Sequence, residues 1–313
     1  MLNKKRGALE ISFGWLFAIL AGIFILFLAF YLGSKIISSG QETVSAETGK
    51  EIGILLDPLE TSFESAQTTS ISIPVETKIH NGCNLEGDFG KQTIKLDQLS
   101  FNKWTETDIY VVFKNKYIFS SEEIQGKKFY IFSKPVYFPF KVTDLIYMTS
   151  SMKDYCFVNA PLDIEEEISN LNQKNLLVEN CSTNDIRVCF DKNKCDINVD
   201  YSNGYVIKNN TKVYFSGLNG DYKPLMYAAI FSDKEVYECQ IKRLMLRIEE
   251  LAVLYKNKEL LTRKVGCDDS LGGDLNALAS LSGALSTSEE LGIIATEVDS
   301  INQKNSARMC MLW

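Results

Sequence analysis

The sequence predicts an α+β protein with an N-terminal transmembrane helix, a β-rich ectodomain and a C-terminal helical hairpin or three-helix bundle. Three observations predict it. A 22-residue run without a charged residue spans Ile11 to Leu32. Segments rich in β-branched and aromatic residues recur through the middle of the chain. From Asp233 onward apolar residues fall at helical spacing.

The apolar run, ISFGWLFAILAGIFILFLAFYL, would rise roughly 33 Å as a helix, enough to cross a hydrocarbon core of about 30 Å. It is longer than a signal-peptide apolar region of about 7–15 residues, and no A-x-A-like cleavage site follows it. Lys4, Lys5 and Arg6 precede the run, whereas Lys35 and then Glu42 and Glu47 follow it. Basic residues stay cytoplasmic, so residues 1–34 read as a cytoplasmic tip and anchor, with the bulk of the chain beyond the membrane. Trp15 and Tyr31 lie near the two ends of the run, where interfacial aromatics belong. The alternative is a core helix of a soluble protein.

Lys5-Arg6-Gly7-Ala8, with Glu10 before the apolar run, also matches the pattern cut by prepilin-type peptidases. The cut would fall between Gly7 and Ala8. Glu10 stands three residues past that cut, whereas the acid of pilins usually stands five past it. Residues 35–65 read as a helical stalk: Ile36, Ile37, Val44, Ile52, Leu55, Leu56 and Leu59 recur at loosely helical spacing, and Pro58 interrupts the pattern.

Residues 66–232 read as a β-rich extracytoplasmic domain. Ile71 to Val75 alternates, and Asp108–Phe113, Lys128–Phe132, Val136–Phe140 and Thr143–Met148 have strand composition. Their aromatics read as sheet core, or alternatively as an exposed binding surface, and Pro135 and Pro139 mark an edge or a bulge. A short helix is expected within 161–178, where Asp163, Glu165, Glu166 and Glu167 favour the helix dipole. Residues 185–232 return to strands. Tyr205–Lys208 and Thr211–Phe215 flank Asn209-Asn210, which tolerate the positive φ of a two-residue turn. Asn209-Asn210-Thr211 and Asn180-Cys181-Ser182 are glycosylation sequons at Asn209 and Asn180.

Residues 233–313 read as the helical C-terminal region. A first helix runs from an Asp233 cap to about Lys264, with Leu244, Ile248, Leu251 and Tyr255 on one face. A second spans Asp274–Leu285 after Gly272-Gly273, and Ser286-x-x-Glu289 resembles a capping box opening a third, to about Arg308.

All eight cysteines fall beyond the anchor, an even count that favours disulfides, with buried free thiols as the alternative. Val188 to Ile197 reads as a hairpin that sets Cys189 opposite Cys195. Cys310 has two possible partners. Cys267 is the preferred one, if the second and third helices run antiparallel. Cys239 replaces it if the first and third do.

The net charge is −7, and the part beyond the anchor is near −9, which argues against nucleic acid as a partner. His80 is the only histidine and sits in what reads as a turn. One histidine and no close cysteine pair leave no metal site, and no phosphate-binding loop occurs. No catalytic residue and no cofactor are expected. The sequence therefore points to a non-enzymatic cell-envelope protein. Its partners would be the lipid bilayer and either another envelope protein or itself. A pilin-like filament subunit is the second reading and an envelope enzyme the third.

Glu10–Phe17 (EISFGWLF), Phe138–Tyr147 (FPFKVTDLIY), Tyr237–Met245 (YECQIKRLM) and Cys310–Trp313 (CMLW) together resemble a family of uncharacterised single-pass membrane-anchored proteins of small-genome archaea. The likeness covers the whole chain. It implies an archaeal surface protein with one anchor, and it supplies no activity and no catalytic residue.

Overall fold

The computed structural model describes residues 14–35, 68–100, 102–105, 110–190, 195–217, 220–267 and 270–313. The expected stalk and the processing residues Gly7, Ala8 and Glu10 lie outside the described residues.

Helix α1, Gly14–Lys35, is long and apolar enough to cross a membrane, and its apolar window is not buried against the rest of the chain. That departs from a soluble core helix, which would bury such a surface.

Among the described residues the body holds two sheets. The first has seven strands: β1 (Thr68–Asn84), β2 (Lys91–Ser100), β3 (Lys103–Thr105), β4 (Tyr110–Phe113), β5 (Tyr117–Phe119), β6 (Glu123–Tyr137) and β7 (Lys141–Ser150). Their order is β3-β2-β1-β6-β7-β5, and β4 pairs with the same strand as β3, further along β2. Pairing is antiparallel except between β5 and β7. Successive side chains point to opposite faces. Ile131 and Ile146 therefore join one apolar cluster while their neighbours Phe132 and Tyr147 join the other. Pro135 is tolerated inside β6 because β1 pairs with β6 only as far as Phe132, and the register shifts at Val136/Tyr137, a bulge at the strand's end.

The second sheet comprises β8 (Tyr155–Val158), β9 (Leu176–Val178), β10 (Ile186–Cys189), β11 (Ile197–Asp200), β12 (Tyr205–Lys208) and β13 (Thr211–Tyr214). Its order is β13-β12-β11-β10-β8-β9. Helix α2 (Leu162–Asn170) is the crossover between the parallel strands β8 and β9, and it buries Ile164 and Ile168. Asn209 and Asn210 take φ of 49° and 58° in the β12–β13 turn, as their type predicts.

Two helices lie between the sheets. Helix α3 (Lys223–Phe231) touches β6 and β7 of the first sheet and β12 of the second. Helix α4 (Lys234–Arg263) touches β1, β5 and β7 on one side and β13 on the other. Of the aromatics expected as sheet core, Phe132, Phe138, Phe140 and Tyr147 join the core cluster here, whereas Phe129 joins the cluster on the other face and Tyr137 is exposed. Phe132 stacks on Tyr147 at 4.5 Å, and Phe231 meets Tyr155 at 5.1 Å. Helices α5 (Gly272–Ala284) and α6 (Leu291–Ser306) complete the C-terminal part, with α5 packed on both α4 and α6.

Four local expectations need correction. Residues 223–231 form α3 rather than a strand: the segment KPLMYAAIF is apolar on every side, so periodicity does not separate helix from strand. Cys189 and Cys195 are not opposed in an antiparallel hairpin, because β10 and β11 run parallel, with Val188 opposite Ile197. His80 lies within β1, opposite Lys95 of β2 and Glu123 of β6, and not in a turn. Ser286 bonds through its backbone N–H (2.8 Å) and hydroxyl (2.6 Å) to Glu290, one residue beyond the expected Glu289, and a 3-10 turn at Ser288–Glu290 precedes α6.

Candidate functional site

The open face of the second sheet is the candidate interaction site. Strand register decides which side chains reach it. In β11 and β12, Asn198 stands opposite Ile207 and Asp200 opposite Tyr205; in β13, Lys212 faces Ile207 and Tyr214 faces Tyr205. These six share one face, whereas Ile197, Val199, Val206 and Val213 share the other and are buried.

Two adjoining clefts of about 510 and 690 Å³ run over the open face and share Asn198 and Ile207. Phe190, Asp200, Tyr201 and Tyr205 line one; Arg187, Lys208, Asn209 and Asn210 line the other. The Lys212 ammonium sits between two rings, 3.6 Å from that of Tyr205 and 4.6 Å from that of Tyr214. Hydrogen bonds from Asn203 hold the Asp200 carboxyl below its usual range. The bond to Asp200 pushes the Tyr205 phenol up, and the bond with Tyr214 pushes the Lys212 ammonium up. All three groups thus keep their charge states at neutral pH. The face is a pattern of rings, cations and the two carboxylates of Asp196 and Asp200, suited to binding by stacking and charged hydrogen bonds.

Two disulfides brace this sheet. Cys156 of β8 is joined to Cys181, and Cys189 at the end of β10 to Cys195. The Asn198 amide holds the second loop, donating to the Cys195 carbonyl at 3.0 Å and accepting from its N–H at 3.3 Å. The other two disulfides join distant elements: Cys83 of β1 to Cys239 of α4, and Cys267 to Cys310. Of the two candidate partners for Cys310, the structure selects Cys267, and Cys239 is taken by Cys83. The two sequon residues, Asn180 and Asn209, are both exposed.

His80 meets carboxylates. Its Nε2 lies 2.7 Å from Asp97 Oδ2, and its Nδ1 lies 3.7 Å from Glu123 Oε2. With an acid on each nitrogen, the ring is a link between β1, β2 and β6. A nucleophile–base pair would instead set a hydroxyl or thiol at one nitrogen. Among the described residues no group of three His, Cys, Asp or Glu could hold a metal ion.

One structurally decisive residue escapes sequence reading. Arg243 of α4 is wholly buried, and its guanidinium is bound by backbone carbonyls rather than by a carboxylate. It donates to Phe89 (3.1 Å), Lys116 (3.0 Å) and Lys114 (3.0 Å), and to the Gln240 side chain (2.7 Å). Its guanidinium lies over the Tyr117 ring at 4.8 Å, and burial lowers its pKa. In YECQIKRLM it borders an apolar stripe, where an arginine normally extends to solvent.

Lys208 points to the buried side, where its ammonium donates to the carbonyls of Ile230 (3.3 Å) and Ser232 at the end of α3. Burial lowers its pKa to about 8. Salt bridges of Lys223 to Asp163 (3.0 Å) and Glu167 (3.6 Å), with a further one from Lys134 to Glu167, fasten α2 to α3 and β6.

The chain matches no protein-family model, no curated protein and no solved structure.

Proposed function

We propose that this chain is a membrane-anchored protein of the cell envelope whose extracytoplasmic body is a non-catalytic interaction domain. One observation carries the reading: a charge-free helix long enough to span a bilayer precedes a body in which all eight cysteines are paired. Such pairing persists in oxidising compartments and is rare in the cytosol. A span rather than a cleaved leader is favoured by the length of the apolar helix. Lys4, Lys5 and Arg6 orient the N-terminus inward. The resemblance noted above supports reading that envelope as an archaeal one.

The body acts through the open face of the second sheet, where Arg187, Asp200, Tyr205 and Tyr214 offer rings and charges together. The partner is another envelope protein or a second copy of the chain. Photocrosslinking from native membranes with a probe at Tyr205 tests this. The expected result is a discrete adduct that an Arg187→Glu/Tyr214→Ala variant loses. An adduct pattern unchanged by that variant, with the body still folded, places the interaction elsewhere.

A further inference from the structure

Two Asn-x-Ser/Thr acceptor sequences lie in the body, and the fold presents them differently. A sequon is used on an accessible surface loop, since the transferring enzyme must close around all three residues. Asn180 and Ser182 are exposed, and so are Asn209 and Thr211. Exposure alone therefore does not separate the two sites.

The backbone around them does. Asn180-Cys181-Ser182 is fastened to its surroundings at every residue. Before it, the Glu179 N–H donates to the Phe157 carbonyl of β8 at 3.1 Å. In its middle, Cys181 is half-buried and bonded to Cys156 of the same strand. At its end, the Ser182 N–H donates to Asp185 Oδ2 at 2.6 Å. An enzyme cannot close around this stretch until the disulfide and these bonds are released.

Asn209-Asn210-Thr211 instead stands at the tip of the β12–β13 hairpin. Lys208 pairs with Thr211, so Asn209 and Asn210 are the whole turn. The Thr211 hydroxyl makes a bond to the Lys208 carbonyl at 2.7 Å, which is local and exposed. Below the tip, the Lys208 ammonium holds the hairpin to the carbonyls of Ile230 and Ser232. The turn is thus a firm, projecting loop tip, where added bulk disturbs no packed group.

We propose that Asn209 carries an N-linked glycan and that Asn180 does not. The proposal rests on the reading of the body as extracytoplasmic. The donor is the phosphate ester of a lipid-linked oligosaccharide. Asn209 Nδ2 bonds to the anomeric carbon of the first sugar, and the bond from that carbon to the phosphate oxygen breaks. The electron pair leaves on the lipid phosphate, and one amide proton passes to a base of the transferring enzyme. The glycan stands at the rim of the second cleft, which Asn209 and Asn210 line, and beside the start of β13, the last strand of its sheet. At the other end of β13 the Tyr214 N–H is already taken by the Ser288 hydroxyl, at 3.0 Å. A bulky, hydrated group at the near end covers the rest of that edge against pairing with another chain. The first cleft, with Phe190, Tyr201 and Tyr205, stays open to a partner.

The test purifies the full chain from native membranes and maps its peptides by mass spectrometry. The Asn209 peptide is expected to carry an added mass that yields sugar fragment ions, and the reduced Asn180 peptide to appear at its unmodified mass. Asn209→Gln and Thr211→Ala are expected to lose the addition, and Thr211→Ser to keep it. A glycan at Asn180 overturns the proposal. So does an unmodified Asn209 in a chain whose body lysines are labelled from outside intact cells. An unmodified Asn209 in a chain whose body lysines are reached only after lysis contradicts the extracytoplasmic reading on which the proposal rests, which separates the two failures.

Discussion

At the scale of single residues, the body depends on one buried cation. Arg243 satisfies carbonyls of the β1–β2 turn and of the β4–β5 link at once, so its loss strands several buried acceptors. Arg243→Met is expected to destabilise the body by about 3 kcal/mol or more in denaturant unfolding. Gly90 belongs to the same joint. Its φ is +62°, and a Cβ there would lie 2.5 Å from the Asn84 carbonyl and 2.9 Å from Arg243 Cγ. Gly90→Ala should therefore cost about 2 kcal/mol in the same assay. The alkaline response is set by tyrosines. Burial raises Tyr147, Tyr227 and Tyr237 well above their usual value and Tyr155 to about 12. Their folded pKa values lie above the unfolded value of 10, so their stabilisation is complete below pH 10 and is lost as pH rises through the folded values. For Tyr155 alone the loss is about 3 kcal/mol. Lys208 has the opposite sign. Its folded pKa of about 8 lies below the unfolded 10.5, so the unfolded chain binds more protons between those values and stability rises with pH there. Unfolding free energies measured from pH 7 to 12 should therefore rise from about pH 8 and then fall steeply above pH 10. A Lys208→Met variant should lack the rise and keep the fall; a profile flat to pH 12 would contradict both assignments.

At the scale of elements, the four disulfides differ in the loops they close. In the chain-entropy description the stabilisation grows with loop length. The Cys83–Cys239 bond, 156 residues apart, should contribute about 5 kcal/mol, and Cys189–Cys195, six apart, about 2 kcal/mol. Melting of paired Cys→Ser variants checks the order: removal of the first should lower the Tm most and of the second least. These elements also show what was legible in the sequence. The Asn209-Asn210 turn was legible because a two-residue turn requires positive φ. The long helix was legible because its buried face repeats over many turns. Helix α3 was not, since eight of its nine residues are buried and leave no polar face to set a period. The direction of β11 was not either, since a short loop between two strand-like segments reads as an antiparallel return, whereas β10 and β11 run parallel. The open-face site was missed because its members come from β10 to β13 and meet only through strand register. Arg243 was missed because its partners are backbone carbonyls, which no side-chain motif reports.

At the scale of the whole molecule, the chain divides by chemistry. One helix carries its apolar surface outward, and a cross-linked body packs two helices between two sheets. In the proposed topology the helix lies in the membrane and the body faces away from the cytoplasm. A membrane-impermeant amine reagent applied to intact cells, with labelled lysines mapped by mass spectrometry, tests it most directly. Body lysines such as Lys103 and Lys212 are expected to be labelled before lysis, and Lys4 and Lys5, where retained, only after it. Body lysines that react only after lysis would instead place the body in the cytoplasm.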